Sequence, residues 1–290
     1  MMTVTIRSSQ IEAEISPLGA ELRALRDSQG REWLWDGDPA WWNGRSPILF
    51  PIVGTLNRDT LRVDGEAYSL PRHGFARRST FTLRHQGEDS VLFGLSDSQQ
   101  TRAIYPFAFD LEMRYAVLDN VLTMAATLRN PGNELLTASF GYHPALRWPL
   151  PPGGAREEHV ILFDEAEPAP VRRLDADGLL APHPRPTPVA GDCIRLDGSL
   201  FAEDALIFDR PASRGLTFTL PGQEGVYVKF EGMPHLALWS KPDAPFLCIE
   251  PWQGHSDPAG FDGEFREKPG VISLAPDQAH TFTMTIAIGA

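Results

Sequence analysis

Three short segments place ionisable side chains beside turn residues and aromatic side chains, a combination that strand packing alone does not require. They are Pro71–Arg78 with His73, Phe140–Leu146 with His143, and Leu247–Gly254 with Glu250. Two imidazoles and one carboxylate are suited to proton transfer without a cofactor, because one group can donate a proton while another accepts one near neutral pH. We therefore take His73, His143 and Glu250 as the candidate catalytic residues.

Glu250 is the most informative of the three, because it follows a strongly apolar segment. Burying a carboxylate without a partner is costly, so such a residue needs either a nearby cation or a chemical task. Burial against Ile249 and Trp252 would raise its pKa into the range that is useful for a general base. We predict a functional role for Glu250 and a ligand contact for Trp252.

The two histidines admit structural explanations as well. His73 precedes Gly74, where the backbone can approach a ligand closely and neighbouring arginines supply hydrogen bonds. A surface turn with solvated arginines explains the same residues. His143 precedes Pro144, which favours an extended backbone and holds the imidazole at a strand end. A core histidine whose ring is satisfied by backbone groups is equally consistent with that pattern.

Other chemistries find little support in the sequence. The histidines lack the spacings of helical zinc sites, and no glycine-rich phosphate motif and no GxSxG elbow occurs. Cys193 and Cys248 are too few for a disulfide framework, so we predict that both are reduced and that Cys248 is a core residue. We predict that the protein uses no metal and no cofactor.

Short β-branched and aromatic segments between turn residues recur along the chain and predict strands. The predicted strands are Thr3–Arg7, Ile11–Ile15, Thr80–Arg84, Val91–Leu95, Leu111–Val117, Val121–Leu128, Val160–Phe163, Ala205–Phe208, Leu216–Leu220, Val226–Phe230, Leu236–Trp239, Phe246–Ile249, Val271–Leu274 and Thr281–Ile288. The 26 prolines and 25 glycines are spread without a period, and no long amphipathic helix is visible. We predict an all-β fold, a large antiparallel sandwich or barrel forming a single domain over residues 1–290.

Charge and hydropathy limit the partners. The 26 basic and 38 acidic residues give a net charge of -12, which opposes binding to nucleic acid or to an anionic membrane surface. No stretch resembles a signal peptide or approaches the roughly 18 apolar residues of a membrane span. We predict a cytoplasmic protein with no nucleic-acid and no membrane partner, and either a monomer or a homodimer is compatible with the sequence.

Tryptophans are concentrated in one part of the chain. They are Trp33, Trp35, Trp41 and Trp42. Tryptophans can stack on the apolar face of a sugar ring, but a cluster of this kind more often forms a small core under a loop. We predict a core role for all four.

An ordered set of motifs connects these segments. They are Gly19–Leu22 (GAEL), Glu32–Trp35 (EWLW), Pro47–Gly54 (PILFPIVG), His73–Arg77 (HGFAR), Gly141–Pro144 (GYHP), Asp204–Phe208 (DALIF) and Glu250–Trp252 (EPW). In this order they resemble the aldose 1-epimerase (mutarotase) family, in particular its shorter bacterial branch. The resemblance implies a β-supersandwich of large antiparallel sheets, similar to galactose mutarotase, with an open cleft that binds a small-molecule sugar.

The same resemblance implies a role for each candidate residue. Glu250 would act as the general base on the anomeric hydroxyl, and His143 as the general acid on the ring oxygen. His73 would donate hydrogen bonds to the reacting oxygens, and Asp204 would hold sugar hydroxyls. The enzyme would be a cofactor-independent isomerase that interconverts the α and β anomers of a hexose by opening the ring at C1.

The substrate is less well defined. Relatives tend to carry an arginine directly after the Val-Gly of the PILFPIVG motif, where this chain has Thr55. The arginines near the motifs that could instead bind a sugar phosphate are Arg45, Arg58, Arg72, Arg77 and Arg78. Lys241 is a further candidate to reach the site, and all these residues are equally explained as solvated loop residues. The alternatives are therefore a hexose-6-phosphate 1-epimerase or a non-catalytic carbohydrate-binding protein with the same cleft.

Overall fold

The computed structural model describes residues 3–289, and β-strands make up most of its regular structure. The strands of the first half are Val4–Arg7 (β1), Ile11–Ile15 (β2), Leu22–Asp27 (β3), Ile48–Leu49 (β4), Thr60–Val63 (β5), Glu66–Ser69 (β6), Thr82–Gln86 (β7), Ser90–Ser96 (β8), Asp110–Leu118 (β9), Val121–Arg129 (β10) and Leu136–Ala138 (β11). Those of the second half are Phe140–Tyr142 (β12), Ala145–Arg147 (β13), Val160–Phe163 (β14), Cys193–Arg195 (β15), Leu206–Phe208 (β16), Gly215–Thr219 (β17), Val226–Glu231 (β18), His235–Trp239 (β19), Phe246–Gln253 (β20), Ile272–Leu274 (β21) and Ala279–Ile288 (β22). The predicted all-β class is confirmed.

Helices are few and short. The α-helix Gln99–Arg102 (α1) begins at Ser98, whose hydroxyl accepts a hydrogen bond from the Thr101 N–H in a capping box. The 3₁₀ turns are Asn57–Asp59, Ala76–Arg78, Arg156–Glu158, Gly198–Phe201 and Phe265–Glu267. Among residues 3–289, no helix has the length and apolar character needed to cross a membrane.

The larger sheet has nine antiparallel strands in the order β15-β14-β17-β18-β22-β10-β9-β8-β7. Its sequence alternates with the period of two that a half-buried strand requires. In β22, Phe282, Met284 and Ile286 are buried, while the threonines between them face the more exposed side. The alternation predicted from the sequence is thus the one that the sheet uses.

The second large sheet has six strands, β16-β19-β20-β12-β4 with β13 also pairing β20. All eight residues of β20 are buried, so this strand is covered on both faces. The sheet packs on the nine-stranded sheet through β12, where the Phe140 ring stacks on Phe282 at a centroid distance of 4.7 Å. The Tyr142 hydroxyl lies 3.0 Å from the Phe282 carbonyl oxygen. Because side chains alternate along a strand, Gly141 and His143 face the opposite side.

Three smaller elements complete the β structure. They are the three-stranded sheet β1-β2-β3, the hairpin β5-β6 and the pair β11-β21. One hydrophobic cluster includes buried residues from both large sheets, such as Met124 and Phe140. The cleft described below lies on the other face of the six-stranded sheet.

Candidate functional site

The register of the six-stranded sheet places His143 opposite Glu250. β12 and β13 pair with β20 in the same register, and they are separated only by His143 and Pro144. Proline has no backbone N–H, so the hydrogen-bond ladder is interrupted at this point while the direction of the strand is kept. As a result, Nε2 of His143 lies 3.2 Å from Oε2 of Glu250.

A cleft with a volume of about 240 Å³ lies over this pair. Its ionisable side chains are Arg72, His73, Arg77, His143, Asp204 and Glu250. Trp252 belongs to the same wall, because residues two apart on a strand share a face. The fold therefore brings together all three candidate catalytic residues and four of the candidate binding residues, Arg72, Arg77, Asp204 and Trp252.

His73 is fixed by the segment around Gly54. The Gly54 N–H donates to Nδ1 of His73 over 3.0 Å, and the His73 N–H donates to the Gly54 carbonyl over 2.9 Å. Since Nδ1 accepts, a neutral ring carries its proton on Nε2. Gly54 has a φ of +74°, and a Cβ there would lie 2.1 Å from Oγ of Ser256, so only glycine fits. This explains why the PILFPIVG and HGFAR motifs occur together.

Arg72 adds a second donor beside His73. Its Nε lies 3.2 Å from Nε2 of His73. Because that ring nitrogen carries a proton in the neutral tautomer, the contact brings two donors together, and one acceptor oxygen in the cleft can receive hydrogen bonds from both. The pair is suited to an oxygen that gains negative charge.

Two arginines that line the cleft, Arg72 and Arg77, form no ion pair with the residues that the structure describes, and Arg78 lies beside them outside the lining. Within residues 3–289, no acidic side chain lies within 4.0 Å of the guanidinium groups of Arg72, Arg77 or Arg78. Burial lowers the pKa of Arg77 to about 10, and the charges of Arg78 and Arg72 add to this effect. A cluster of this kind favours an anionic ligand group.

Burial also controls the protonation of the central pair. It raises the pKa of Glu250 well above its ordinary value, an effect that the charge of Arg72 opposes only in part. It lowers the pKa of His143 to about 3. Both shifts favour the uncharged forms of the pair, a protonated carboxyl and a neutral imidazole.

Aromatic rings enclose His143. Trp42 stacks on its imidazole at a centroid distance of 4.9 Å, and Trp239 meets it edge-on at 5.7 Å. The indole N–H of Trp35 donates to the Trp42 carbonyl over 2.9 Å, which fixes the loop. The predicted core role holds for the buried Trp33 and Trp35, whereas Trp42 also lines the cleft.

Asp204 lies at a turn. Its φ is +64°, in the left-handed region that aspartate adopts more readily than most residues. Arg173 donates to the Asp204 carbonyl over 2.7 Å and so fixes the turn. The Asp204 carboxylate contributes to the raised pKa of Glu250, which places its negative charge close to the pair.

Four residues predicted to bind the substrate do not line the cleft. Arg78 is exposed and donates to the Gly74 carbonyl over 3.3 Å. Arg45 donates to the Arg23 carbonyl over 2.6 Å. Arg58 lines a separate hollow with a volume of about 90 Å³. The ammonium group of Lys241 donates to the Trp41 carbonyl and so supports the loop that carries Trp42.

Some lining residues were not predicted to contact a ligand. They are Trp42, Gly54, Leu174, Ala205, Ile207, Trp239 and Ser256. Gly54 belongs to the PILFPIVG motif, and Ala205 and Ile207 belong to the DALIF motif, so these motifs were the available signal. Leu174, Trp239 and Ser256 had none, because their positions depend on strand register and on long loops.

The comparisons with known proteins agree with this architecture. The family model described as Aldose 1-epimerase matches residues 2–273. Protein LacX of Lactococcus lactis is 32% identical over 286 residues, which is 95% of each chain. A galactose mutarotase related enzyme from Lactobacillus acidophilus is 28% identical, with a TM-score of 0.91 over 100% of this chain and 98% of that one. A galactose mutarotase-like protein from Lactobacillus casei is 25% identical, with a TM-score of 0.92 over 99% and 100%. The chain belongs to the aldose 1-epimerase family.

Proposed function

We propose that this protein is a mutarotase that interconverts the α and β anomers of a hexose. The observation that carries the proposal is the distance of 3.2 Å between Nε2 of His143 and Oε2 of Glu250, at the base of the cleft that His73 also lines. An acid and a base so close together suit a reaction in which both reacting oxygens are bonded to the same carbon.

Ring opening needs one proton removed and one added. The Glu250 carboxylate takes the proton from the hydroxyl O1 while the C1–O1 bond becomes a carbonyl. The electron pair of the C1–O5 bond goes to O5, which takes a proton from His143. Rotation about C1–C2 then exposes the other face of the aldehyde, and the reverse transfers close the ring with the opposite configuration.

The uncharged forms of Glu250 and His143 that burial favours are compatible with this sequence of steps. A neutral carboxyl with a neutral imidazole contains as many protons as a carboxylate with an imidazolium. Transfer of one proton from Glu250 to His143, whose Nε2 lies 3.2 Å from Oε2, therefore creates the reactive form with no change in the number of protons. The charge of Arg72 favours the carboxylate in that form.

The remaining cleft residues supply binding. The Nε2–H of His73 and the guanidinium of Arg72 stabilise the oxygen that gains charge as the ring opens. Asp204 accepts hydrogen bonds from sugar hydroxyls. Trp42, Trp239 and Trp252 provide apolar walls for the C–H faces of the ring.

The test is a Glu250→Gln variant, which keeps the shape of the side chain but removes the base. We expect kcat for α-D-glucose or α-D-galactose to fall by about 10²–10⁴, the usual contribution of a positioned general base. Polarimetry and NMR exchange measure the rate. Glu231→Gln, an exposed carboxylate of β18, serves as the control and retains activity.

Full acceleration by the Glu250→Gln variant would exclude this mechanism. Sugar binding by calorimetry without any mutarotation by the unmodified protein would instead indicate a carbohydrate-binding function.

A second candidate is the same reaction on a hexose 6-phosphate, favoured by Arg72 and Arg77, which line the cleft and form no ion pair within residues 3–289. Replacing Arg77 with glutamine should lower kcat/KM for glucose 6-phosphate by about tenfold to a hundredfold, because charge-assisted hydrogen bonds contribute about 1.5–3 kcal/mol. Activity on free glucose should change less than about twofold. Arg58→Gln is the matched control, since Arg58 lines another hollow. Equal kcat/KM values for the phosphorylated sugar in both variants would rule out this candidate.

A further inference from the structure

A third donor atom lies beside the proposed acid and base. Cys248 precedes Glu250 by two residues on β20, so both side chains face the same side of the sheet. One ligand-type atom each from His143, Cys248 and Glu250 lies within 4.8 Å of the other two. All three residues are buried, and Cys248 is a free thiol.

The distance between two of the three donor atoms agrees with tetrahedral metal coordination. Zinc bonds to nitrogen and oxygen are about 2.0–2.2 Å long, which places two such ligands roughly 3.3–3.5 Å apart in a tetrahedron. The distance from Nε2 of His143 to Oε2 of Glu250 is 3.2 Å. Oε2 of Glu250 and Nδ1 of His143 are also buried without a hydrogen-bond partner. The pair therefore has an acceptor oxygen that a cation can use without breaking a hydrogen bond.

The donor set selects a class of ion. One nitrogen, one sulfur and one oxygen form a set typical of zinc, whereas calcium and magnesium require several oxygen ligands. His143 and Glu250 line the cleft, which leaves the fourth coordination position open to water or ligand. The sequence showed no metal site because the ligands come from two neighbouring strands rather than from one helix.

We propose that His143, Cys248 and Glu250 bind one Zn²⁺ ion and that the bound ion reversibly inhibits the enzyme. Binding occupies Nε2 of His143 and Oε2 of Glu250. The Cys248 thiol and the protonated Glu250 carboxyl each release a proton to solvent as their sulfur and oxygen atoms bind the metal. Inhibition rests on the mutarotase function proposed above, whereas the binding of the ion does not depend on that function.

The test begins with binding. Equilibrium dialysis of the full chain against Zn²⁺ should give one ion per chain, and Cys248→Ala should weaken this binding at least tenfold. His143→Asn provides a second variant that should weaken it similarly. The matched control is Cys193→Ser, which removes the other cysteine, on β15 of the nine-stranded sheet, and should retain the ion.

Spectroscopy and kinetics complete the experiment. Co²⁺ bound in place of Zn²⁺ should show thiolate-to-metal charge-transfer absorption that is lost in Cys248→Ala and kept in Cys193→Ser. Zn²⁺ should inhibit mutarotation by the unmodified protein, with reversal by a chelator, and inhibit Cys248→Ala at least tenfold more weakly. Circular dichroism and thermal unfolding establish that each variant is folded.

Two outcomes would overturn the proposal. One is a folded Cys248→Ala variant that binds Zn²⁺ as tightly as the unmodified protein. The other is the absence of stoichiometric binding to the unmodified protein. If Zn²⁺ binds as described but the protein shows no mutarotation, the metal site stands and the proposed function fails.

Discussion

The two large sheets differ in how their strands distribute apolar and polar residues. In the nine-stranded sheet, β22 alternates buried apolar residues with more exposed threonines. In the six-stranded sheet, β20 is buried throughout and still carries Glu250 and Gln253. Buried polar atoms without partners occur at His143, Glu250 and Trp252 around the cleft, and within residues 3–289 none lies on a strand of the nine-stranded sheet. Packing against the core accounts for the residue pattern of the nine-stranded sheet. The six-stranded sheet instead contains buried polar atoms without hydrogen-bond partners, and a ligand can supply those partners.

The largest expected effect is a loss of stability without a loss of catalytic activity, on truncation of a core ring in the nine-stranded sheet. Phe282→Ala removes a fully buried ring that stacks on Phe140. It should lower the free energy of unfolding by about 3–5 kcal/mol, the range for such a truncation. The kcat/KM per folded molecule should stay within about twofold, because the residue lies on the face away from the cleft. Urea unfolding and mutarotation assays measure the two quantities.

Thr283→Ala is the control for that variant, since Thr283 is the next residue on the more exposed face of β22. It should change stability by less than about 0.5 kcal/mol. A large loss of kcat/KM in folded Phe282→Ala would show that the nine-stranded sheet also shapes the cleft.

The nine-stranded sheet was also the more predictable of the two. Val160–Phe163 was predicted residue for residue, and the predicted Thr281–Ile288 extends by only two residues to Ala279. Regular alternation and turn residues mark such strands clearly. The short strands β4, β12 and β13 of the other sheet were missed as separate elements, because two or three residues between Gly and Pro show no period.

The candidate catalytic residues could be predicted from the sequence because each directly precedes a glycine or a proline. His73, His143 and Glu250 are each followed by Gly or Pro, and all three line one cleft. Arg45 and Lys241 do not reach it, because nearness in sequence does not fix the direction of a long side chain. Trp42 and Trp239 were missed as site residues, since their contacts with His143 depend on strand pairing and a loop.

The next effect concerns the buried carboxyl of the six-stranded sheet. Burial raises the pKa of Glu250 in the folded chain. Above the pKa of the unfolded chain, folding must therefore either bind a proton to this carboxyl or bury its negative charge, and both cost free energy. Its contribution to stability is present below the pKa of the unfolded chain and is lost as pH rises towards the folded pKa. Glu250→Gln should therefore become more stable relative to the unmodified protein by up to about 1.4 kcal/mol per pH unit above about pH 5.

Urea unfolding of both proteins between about pH 5 and pH 8 measures this difference. The histidines are common to both chains, so their protonation largely cancels in the comparison. Glu231→Gln, on the exposed face of the other sheet, should show almost no dependence of this kind. A constant difference between Glu250→Gln and the unmodified protein across this range would contradict the raised pKa.

The smallest effect tests how tightly the cleft wall is packed. A Cβ at Gly141 would lie 2.6 Å from Cδ1 of Trp252 and 3.2 Å from Cδ1 of Leu49. Gly141→Ala should therefore displace the indole and destabilise the fold by about 1–3 kcal/mol, the range for overpacking. Because Trp252 shares its strand face with Glu250, kcat/KM should fall by about tenfold as the wall moves.

Gly87→Ala is the matched change in the nine-stranded sheet. Gly87 lies in the turn between β7 and β8, and a Cβ there would meet its nearest atom at 3.6 Å, an ordinary contact. Its stability should change by less than about 0.5 kcal/mol, and kcat/KM should not change. If Gly141→Ala matched Gly87→Ala in unfolding free energy and in kcat/KM, the Trp252 wall would be as adaptable as a surface turn. The difference between the two sheets would then lie in their charged groups alone, and not in the packing that holds them.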